Sequence, residues 1–263
     1  MTTTRAYSFL EVALKEDGAL WLALKNPAKK NAIGPAMVNE LLWALDDASW
    51  EDAVRSIVLT GAGDAFCAGG DFTQMASFGP SAELPPKGDY ADLLLAIARF
   101  PKPIVARVNG VAMGGGLGLV AVCHFAVASR VAKLGTPEIK RGLFPMMIMA
   151  VLARVVPQRR LLEMMLLGEN ITADEAASMG LVGKAVDAEA LDAEVSRITQ
   201  GISTKSSITV KLGLEAYAAQ ADLSLAEALP LLRERLGAVL GTDDAREGLM
   251  AFLEKRPAKW TGK

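Results

Sequence analysis

Residues 102–145, KPIVARVNGVAMGGGLGLVAVCHFAVASRVAKLGTPEIKRGLFP, constrain this chain more than any other segment. Three consecutive glycines, Gly114 to Gly116, follow an apolar β-branched run and precede an apolar segment of helical length. Glycine lets a backbone come very close to a ligand, because no side chain intervenes. A glycine turn that opens a helix also aims unpaired backbone N–H groups, and the positive end of the helix dipole, at whatever sits there. Farther on, Glu138 stands directly behind Pro137 in an otherwise sparsely charged region. The arrangement suggests an oxyanion trap with one acid/base group.

Several function classes are disfavoured by composition. With 51% hydrophobic and 22% charged residues over 263 positions, the chain is an ordinary globular one, long enough to bury a proper core. A net charge of −2 and the lack of an Arg/Lys run argue against nucleic acid as a partner. Cys67, Cys123 and the single histidine, His124, make neither a Cys/His zinc cluster nor a disulfide framework. The opening MTTTRAYSFLEVAL lacks a basic stretch followed by an apolar one, so neither a secretory signal nor a transit peptide is expected. Residues 104–128 are apolar enough to suggest a membrane span, but Arg107, Asn109, His124 and five glycines interrupt them. A cytoplasmic protein with no membrane partner is the expectation.

The pattern along the chain is α/β in front and helical behind. Residues 7–14 and 19–25 read as a hairpin around Glu16-Asp17-Gly18. Pro35 suits the first turn of a helix whose inner face would carry Met37, Val38, Leu41, Leu42, Leu45 and Ala48. Residues 54–60 and 104–108 read as strands, and 79–88, with Pro80, Pro85 and Pro86, as a mobile loop. From Pro157 onward the pattern is helical, with capping boxes at Thr172–Glu175 and Ser224–Glu227 and a C-cap at Gly180. Alternation up to about Val186 implies crossover connections and a sheet buried on both faces.

Four motifs in order, GAGDAFCAGGD (61–71), KPIVARVNGVAMGGG (102–116), GTPEIKRGLFP (135–145) and DDAREGLMAFLEKRPAKW (243–260), resemble the enoyl-CoA hydratase/isomerase, or crotonase, family. NPAKKNAI (26–33) looks like that family's early loop against coenzyme A. The resemblance spans essentially the whole chain. It implies a crotonase-like spiral of ββα repeats over residues 1–200, followed by a C-terminal helical region over 201–263 that covers coenzyme A and builds a homotrimer or hexamer. No metal is implied, and no cofactor beyond the coenzyme A carried by the acyl-CoA thioester substrate.

The same resemblance assigns roles. Gly70 and Gly115 would donate backbone N–H groups to the thioester oxygen of an enolate, a kind of contact worth about 3–4 kcal/mol per donor in reference cases. Each is otherwise a tight-turn glycine. Glu138 would transfer the proton, its pKa raised by apolar neighbours; the plainer reading is a loop glutamate paired with Lys140 or Arg141. Lys29, Lys30 and Ala68 would face the nucleotide, with Asp71 and Phe72 beside them at the substrate. Phe252 and Lys255 match positions that reach a neighbouring subunit's coenzyme A, although Lys255 also reads as a solvated cation at a helix end.

Three departures from the family pattern stand out. Typical hydratases carry a second glutamate where this chain has Gly118. One carboxylate suits double-bond isomerisation better than hydration, unless Asp71 or Glu163 supplies the second acid. His124 replaces a common aspartate and reads as a satisfied buried or interface histidine or as a catalytic imidazole. Thr73 replaces a frequent lysine, which weakens any phosphate contact there. Pocket walls are expected from residues 72–89 and 144–149, where Met146, Met147 and Met149 form either a pliable apolar surface or plain core. The other readings are decarboxylation, thioester hydrolysis, or a degraded scaffold that binds a CoA ester. A dinucleotide oxidoreductase would need glycine at Leu119, and a serine hydrolase would need GxSxG.

Overall fold

Strands β1 (Leu10–Leu14) and β2 (Ala19–Leu24) form the expected hairpin, pairing from Leu10 with Leu24 to Leu14 with Leu20. Gly18 makes this tight return with φ +78°. Helix α1 (Pro35–Trp50) follows with proline in its first turn, and all six residues expected on its inner face are buried. The structure, a computed structural model, describes residues 5–71, 73–74 and 84–263. Phe72 and residues 79–83 of the expected loop lie outside the described residues.

The central repeats alternate between two sheets. Strands β3 (Ser56–Gly61), β5 (Ile104–Val108) and β7 (Phe125–Ser129) enter the large sheet, whose order is β1-β2-β3-β5-β7-β10, with β10 being Lys184–Val186. Strands β4 (Ala65–Cys67), β6 (Val111–Met113) and β8 (Lys133–Gly135) enter a small sheet, closed by β9 (Asn170–Thr172). All pairings among β2, β3, β5, β7 and β10, and among β4, β6 and β8, are parallel. Helices α2 (Tyr90–Ala98) and α3 (Gly115–Val122) supply crossovers. The result is a spiral of ββα turns. The apolar run at 104–128 is thus divided among three strands, β5, β6 and β7, and one helix, α3, and no helix among the described residues is long and apolar enough to cross a membrane.

Both faces of the large sheet are covered. Every residue of β3 is buried, as expected of a parallel strand with helices on either side. One face joins the main core with α1, α2 and α3. On the other, Val58, Val105 and Val127 pack against Leu191 and Val195 of α7 (Leu191–Ser203). Helices α4 (Met146–Leu152), α5 (Gln158–Leu167) and α6 (Ala173–Ser178) lie between β8 and β10, and α8 (Ser207–Gln220), α9 (Leu225–Leu240) and α10 (Asp243–Glu254) complete the chain. Both expected capping boxes form, and Gly180 follows α6 at φ +83°.

The expectation of unbroken helix after Pro157 is corrected by β9 and β10. Each has only three residues, too few to display a strand period.

Candidate active site

Three short parallel strands each deliver one group to the same place. Gly70 follows β4, Gly115 follows β6, and Glu138 follows β8 on a 3-10 turn, Pro137–Arg141. Ligands of parallel α/β sheets collect outside the carboxyl ends of the strands. Here all three residues line one cavity of about 450 Å³.

The backbone conformation frees the two glycine N–H groups. Ile33 bridges the Gly70 strand: its N–H donates to the Gly69 carbonyl at 2.8 Å, and its carbonyl accepts from the Asp71 N–H at 2.8 Å. That alternation turns the Gly70 N–H to the other side. Gly69 must be glycine, at φ +107° with the Met113 carbonyl oxygen 3.2 Å from where a Cβ would sit. Gly115 opens α3, so its N–H has no intrahelical acceptor. Among the described residues neither N–H finds a protein acceptor.

Glu138 lines the same cavity with a half-buried carboxyl. Its Oε2 is buried and has no hydrogen-bond partner among the described residues. Burial raises its pKa above the ordinary glutamate value, against smaller opposing effects from its own backbone N–H and from Arg141. The structure forms no ion pair from Glu138 to Lys140 or Arg141 among the described residues. A desolvated carboxylate beside unpaired N–H donors can take up and return a proton while negative charge gathers on a bound carbonyl.

The walls are mostly apolar. Ile33, Pro35 and Val38 form one side, and Leu143, Phe144 and Ile148 another. Met146 and Met147 also line the cavity, Met146 being 65% exposed. Met149 does not; it packs against the main core, the second of its two expected readings.

Asp89, at the end of the expected pocket-wall stretch, lines the cavity, and so does Tyr90, which was not singled out in the sequence. The Tyr90 hydroxyl donates to the Gly115 carbonyl at 2.5 Å. Burial, then the proximity of Cys67 and Glu138, holds its pKa well above the usual phenol value. Asp89 caps α2, its Oδ1 accepting from Ala91 N–H at 2.8 Å and Asp92 N–H at 3.1 Å in a reciprocal capping box. The Asp89-x-x-Asp92 spacing could have located this helix start and put Tyr90 at its first turn.

Neither proposed second acid reaches the cavity. Asp71 is buried and accepts from Lys29 Nζ at 3.1 and 2.9 Å, and from the Thr73 N–H at 3.1 Å. Burial pushes Asp71 up, but Lys29 and the Gln74 and Thr73 amides more than offset this and leave its pKa below the carboxylate norm. Glu163 is exposed on α5 and pairs with Arg160 at 2.9 Å. Room for an acid at position 118 is also absent: a Cβ there would overlap the Ile148 side chain and lie 2.5 Å from the Tyr90 hydroxyl.

The remaining candidates lie around this centre. Lys29, though tied to Asp71, keeps its side chain 45% exposed. Ala68 donates its N–H to the Lys30 carbonyl at 3.0 Å, which joins the two expected nucleotide-facing segments. Thr73 is exposed. Phe252, 81% exposed on α10, and Lys255, at its left-handed C-cap, do not line the cavity of their own chain. His124 is also remote from it: its Nδ1 accepts the Ile104 N–H at 3.0 Å, and burial lowers its pKa, so the imidazole is a satisfied neutral acceptor.

Comparison with known proteins points to one family. A family model described as enoyl-CoA hydratase/isomerase matches residues 15–263. A probable mitochondrial enoyl-CoA hydratase of Dictyostelium discoideum is 35% identical over 247 residues, covering 92% of this chain and 87% of that protein. A probable enoyl-CoA hydratase of Bacillus subtilis is 35% identical over 247 residues, 92% of this chain and 94% of that one. The crystal structure of a Mycobacterium smegmatis enoyl-CoA hydratase matches with a TM-score of 0.87 at 32% identity, covering 96% of this chain and 98% of that one.

Proposed function

Since the chain belongs to the enoyl-CoA hydratase/isomerase family, we propose that it moves the double bond of an enoyl-CoA through an enolate, with Glu138 as the one acid/base. The observation that carries this reading is the unpartnered, buried Glu138 Oε2 in the same cavity as the free N–H groups of Gly70 and Gly115.

The steps balance on these groups alone. The Glu138 carboxylate takes a proton from C2 of a 3-enoyl-CoA. The electron pair delocalises onto the thioester oxygen, which accepts hydrogen bonds from Gly70 and Gly115. The carboxylic acid then returns the proton to C4, and the double bond lies between C2 and C3. A raised pKa suits both directions of transfer, since a base poised nearer neutrality is also a competent acid.

Coenzyme A would run past the exposed side of Lys29 and the joined backbone of Lys30 and Ala68. Asp71, rather than touching substrate, holds Lys29 and the chain beside Gly70. Phe252 and Lys255 would act on the coenzyme A of a neighbouring copy in a trimer or hexamer. Hydration is the second reading, favoured by the names of the relatives; against it stands Gly118 where a second acid would stand, and the one other carboxylate lining the cavity among the described residues, Asp89, spends its Oδ1 on capping α2.

A panel of 2-enoyl-, 3-enoyl- and branched or dicarboxylic enoyl-CoAs in heavy-oxygen water, followed by mass spectrometry, tests the proposal. Bond migration without label is expected. Label in the acyl chain as the main product, or release of free coenzyme A, would replace isomerisation by hydration or thioester hydrolysis.

A further inference from the structure

We infer that Tyr90 decides which reaction this site performs: its phenol occupies the space over Gly118 that a second acid and its water would need, and its hydroxyl fixes the Gly115 end of the oxyanion trap. This rests on reading the cavity as an enolate site.

Two observations converge on Tyr90. The first is steric. A Cβ built on Gly118 would lie 2.5 Å from the Tyr90 hydroxyl and overlap Ile148, so this part of the wall is filled by a phenol and a branched alkyl group. Both residues line the cavity that holds Glu138. The second is polar. The Tyr90 hydroxyl spends its proton on the Gly115 carbonyl at 2.5 Å, so it cannot at the same time donate to a water poised for attack. A water beside Gly118 would therefore lack room, and would find no donor in Tyr90.

The segment that leads into Tyr90 is also held in place. Asn39 on α1 donates its Nδ2 to the carbonyls of Leu84 and Pro85, at 3.2 and 3.0 Å, and accepts the Lys87 N–H at 2.7 Å. Trp43 donates its Nε1 to the Pro85 carbonyl at 2.9 Å, and the Lys87 ammonium lies 4.0 Å from the centre of its ring. The stretch before Tyr90 is thus fastened to α1, and the Asp89 capping box then fixes the first turn of α2. Tyr90 is a positioning and specificity residue whose placement comes from backbone contacts on two helices.

The test compares wild type with Tyr90→Phe, Tyr90→Leu and Tyr90→Ala on 2-enoyl- and 3-enoyl-CoA in heavy-oxygen water. Tyr90→Phe keeps the plug and loses only the hydrogen bond. Its kcat for migration should fall about two- to ten-fold, the scale of one neutral hydrogen bond, with KM within two-fold and the ratio of hydration to migration unchanged. Tyr90→Leu and Tyr90→Ala open the space, and in each that ratio should rise at least tenfold. Leu supplies the answer if the Ala variant does not fold. Migration by the wild type with the ratio unchanged in the opened variants would overturn the role of Tyr90 alone. A wild-type enzyme that hydrates faster than it migrates, or does not migrate the bond at all, would overturn the enolate-isomerase reading and Tyr90's role with it.

Discussion

The Glu138 carboxyl lies against the backbone of Gly114, so closely that a Cβ on Gly114 would come within 2.7 Å of Oε1. Gly114 also sits at φ +51°, where a side chain is strained. Its N–H donates to the Gly135 carbonyl at 2.9 Å, which ties the turn before α3 to the end of β8. The turn that opens α3 at Gly115 therefore also forms the seat of the Glu138 carboxyl.

Gly114→Ala should harm catalysis through Glu138 and stability through the backbone. A strained φ costs about 1–3 kcal/mol, so the melting temperature should fall. The methyl group should displace the carboxyl and lower kcat at least tenfold. Steady-state kinetics with a thermal melt checks both, and a variant with wild-type kcat would show that Glu138 is seated elsewhere.

Glu138 should also leave its mark on pH dependence. Burial raises its folded pKa above the value of about 4.3 for a free glutamate. A group raised in this direction contributes stability below its unfolded pKa and loses it as pH rises through the folded value. At neutral pH the ionised carboxyl is therefore a destabilising group, and Glu138→Gln should melt higher than wild type there, with the gap closing as the solution is acidified. The acidic limb of kcat/KM should lie above the ordinary carboxylate range and vanish with the base. A Gln variant less stable at neutral pH would contradict the sign.

Gly118 offers a purely steric prediction. Gly118→Ala should be destabilising, because its methyl group would overlap Ile148 and press on Tyr90. Overpacking of this kind costs about 1–3 kcal/mol. Differential scanning calorimetry should show a lower melting temperature; an unchanged one would mean that the wall yields freely. For the same reason Gly118→Glu alone should not restore a second acid.

Much of the site was legible because its chemistry is carried by backbone. Gly70 and Gly115 stand in glycine-rich turns whose only requirement is close approach, and Glu138 is a lone carboxylate in an apolar segment. Such features survive without knowledge of packing. Tyr90 did not stand out, since one aromatic residue after a Pro/Gly-rich stretch says nothing about the direction of its ring. The absence of an acid at Gly118 could be read, but its occupant could not, because Tyr90 and Ile148 arrive from distant segments. The small sheet was missed for another reason: β4, β6, β8 and β9 have three residues each, and their pairing depends on partners far along the chain. The α1 face, by contrast, was read residue by residue from its helical period.

The C-terminal helices predict assembly. Leu225, Leu229, Leu236 and Leu240 on α9 are each more than half exposed, and so are Leu249, Phe252 and Leu253 on α10. An apolar surface of this extent marks an interaction face. Sedimentation velocity at micromolar concentration should report a trimer or hexamer, and removal of the Phe252 ring by alanine should weaken CoA-ester binding. A monomer would contradict both the assembly and the action of Lys255 on a neighbouring copy.

The most direct measurement is turnover of a 3-enoyl-CoA by Glu138→Gln, with CoA-ester affinity measured in parallel. The amide keeps shape and polarity but cannot accept and return the proton. The expected result is a fall in kcat of about 10²–10⁴-fold, with affinity within a few-fold of wild type. A variant that retains more than about a tenth of wild-type kcat, set against that same range, would show that Glu138 is not the group that moves the proton.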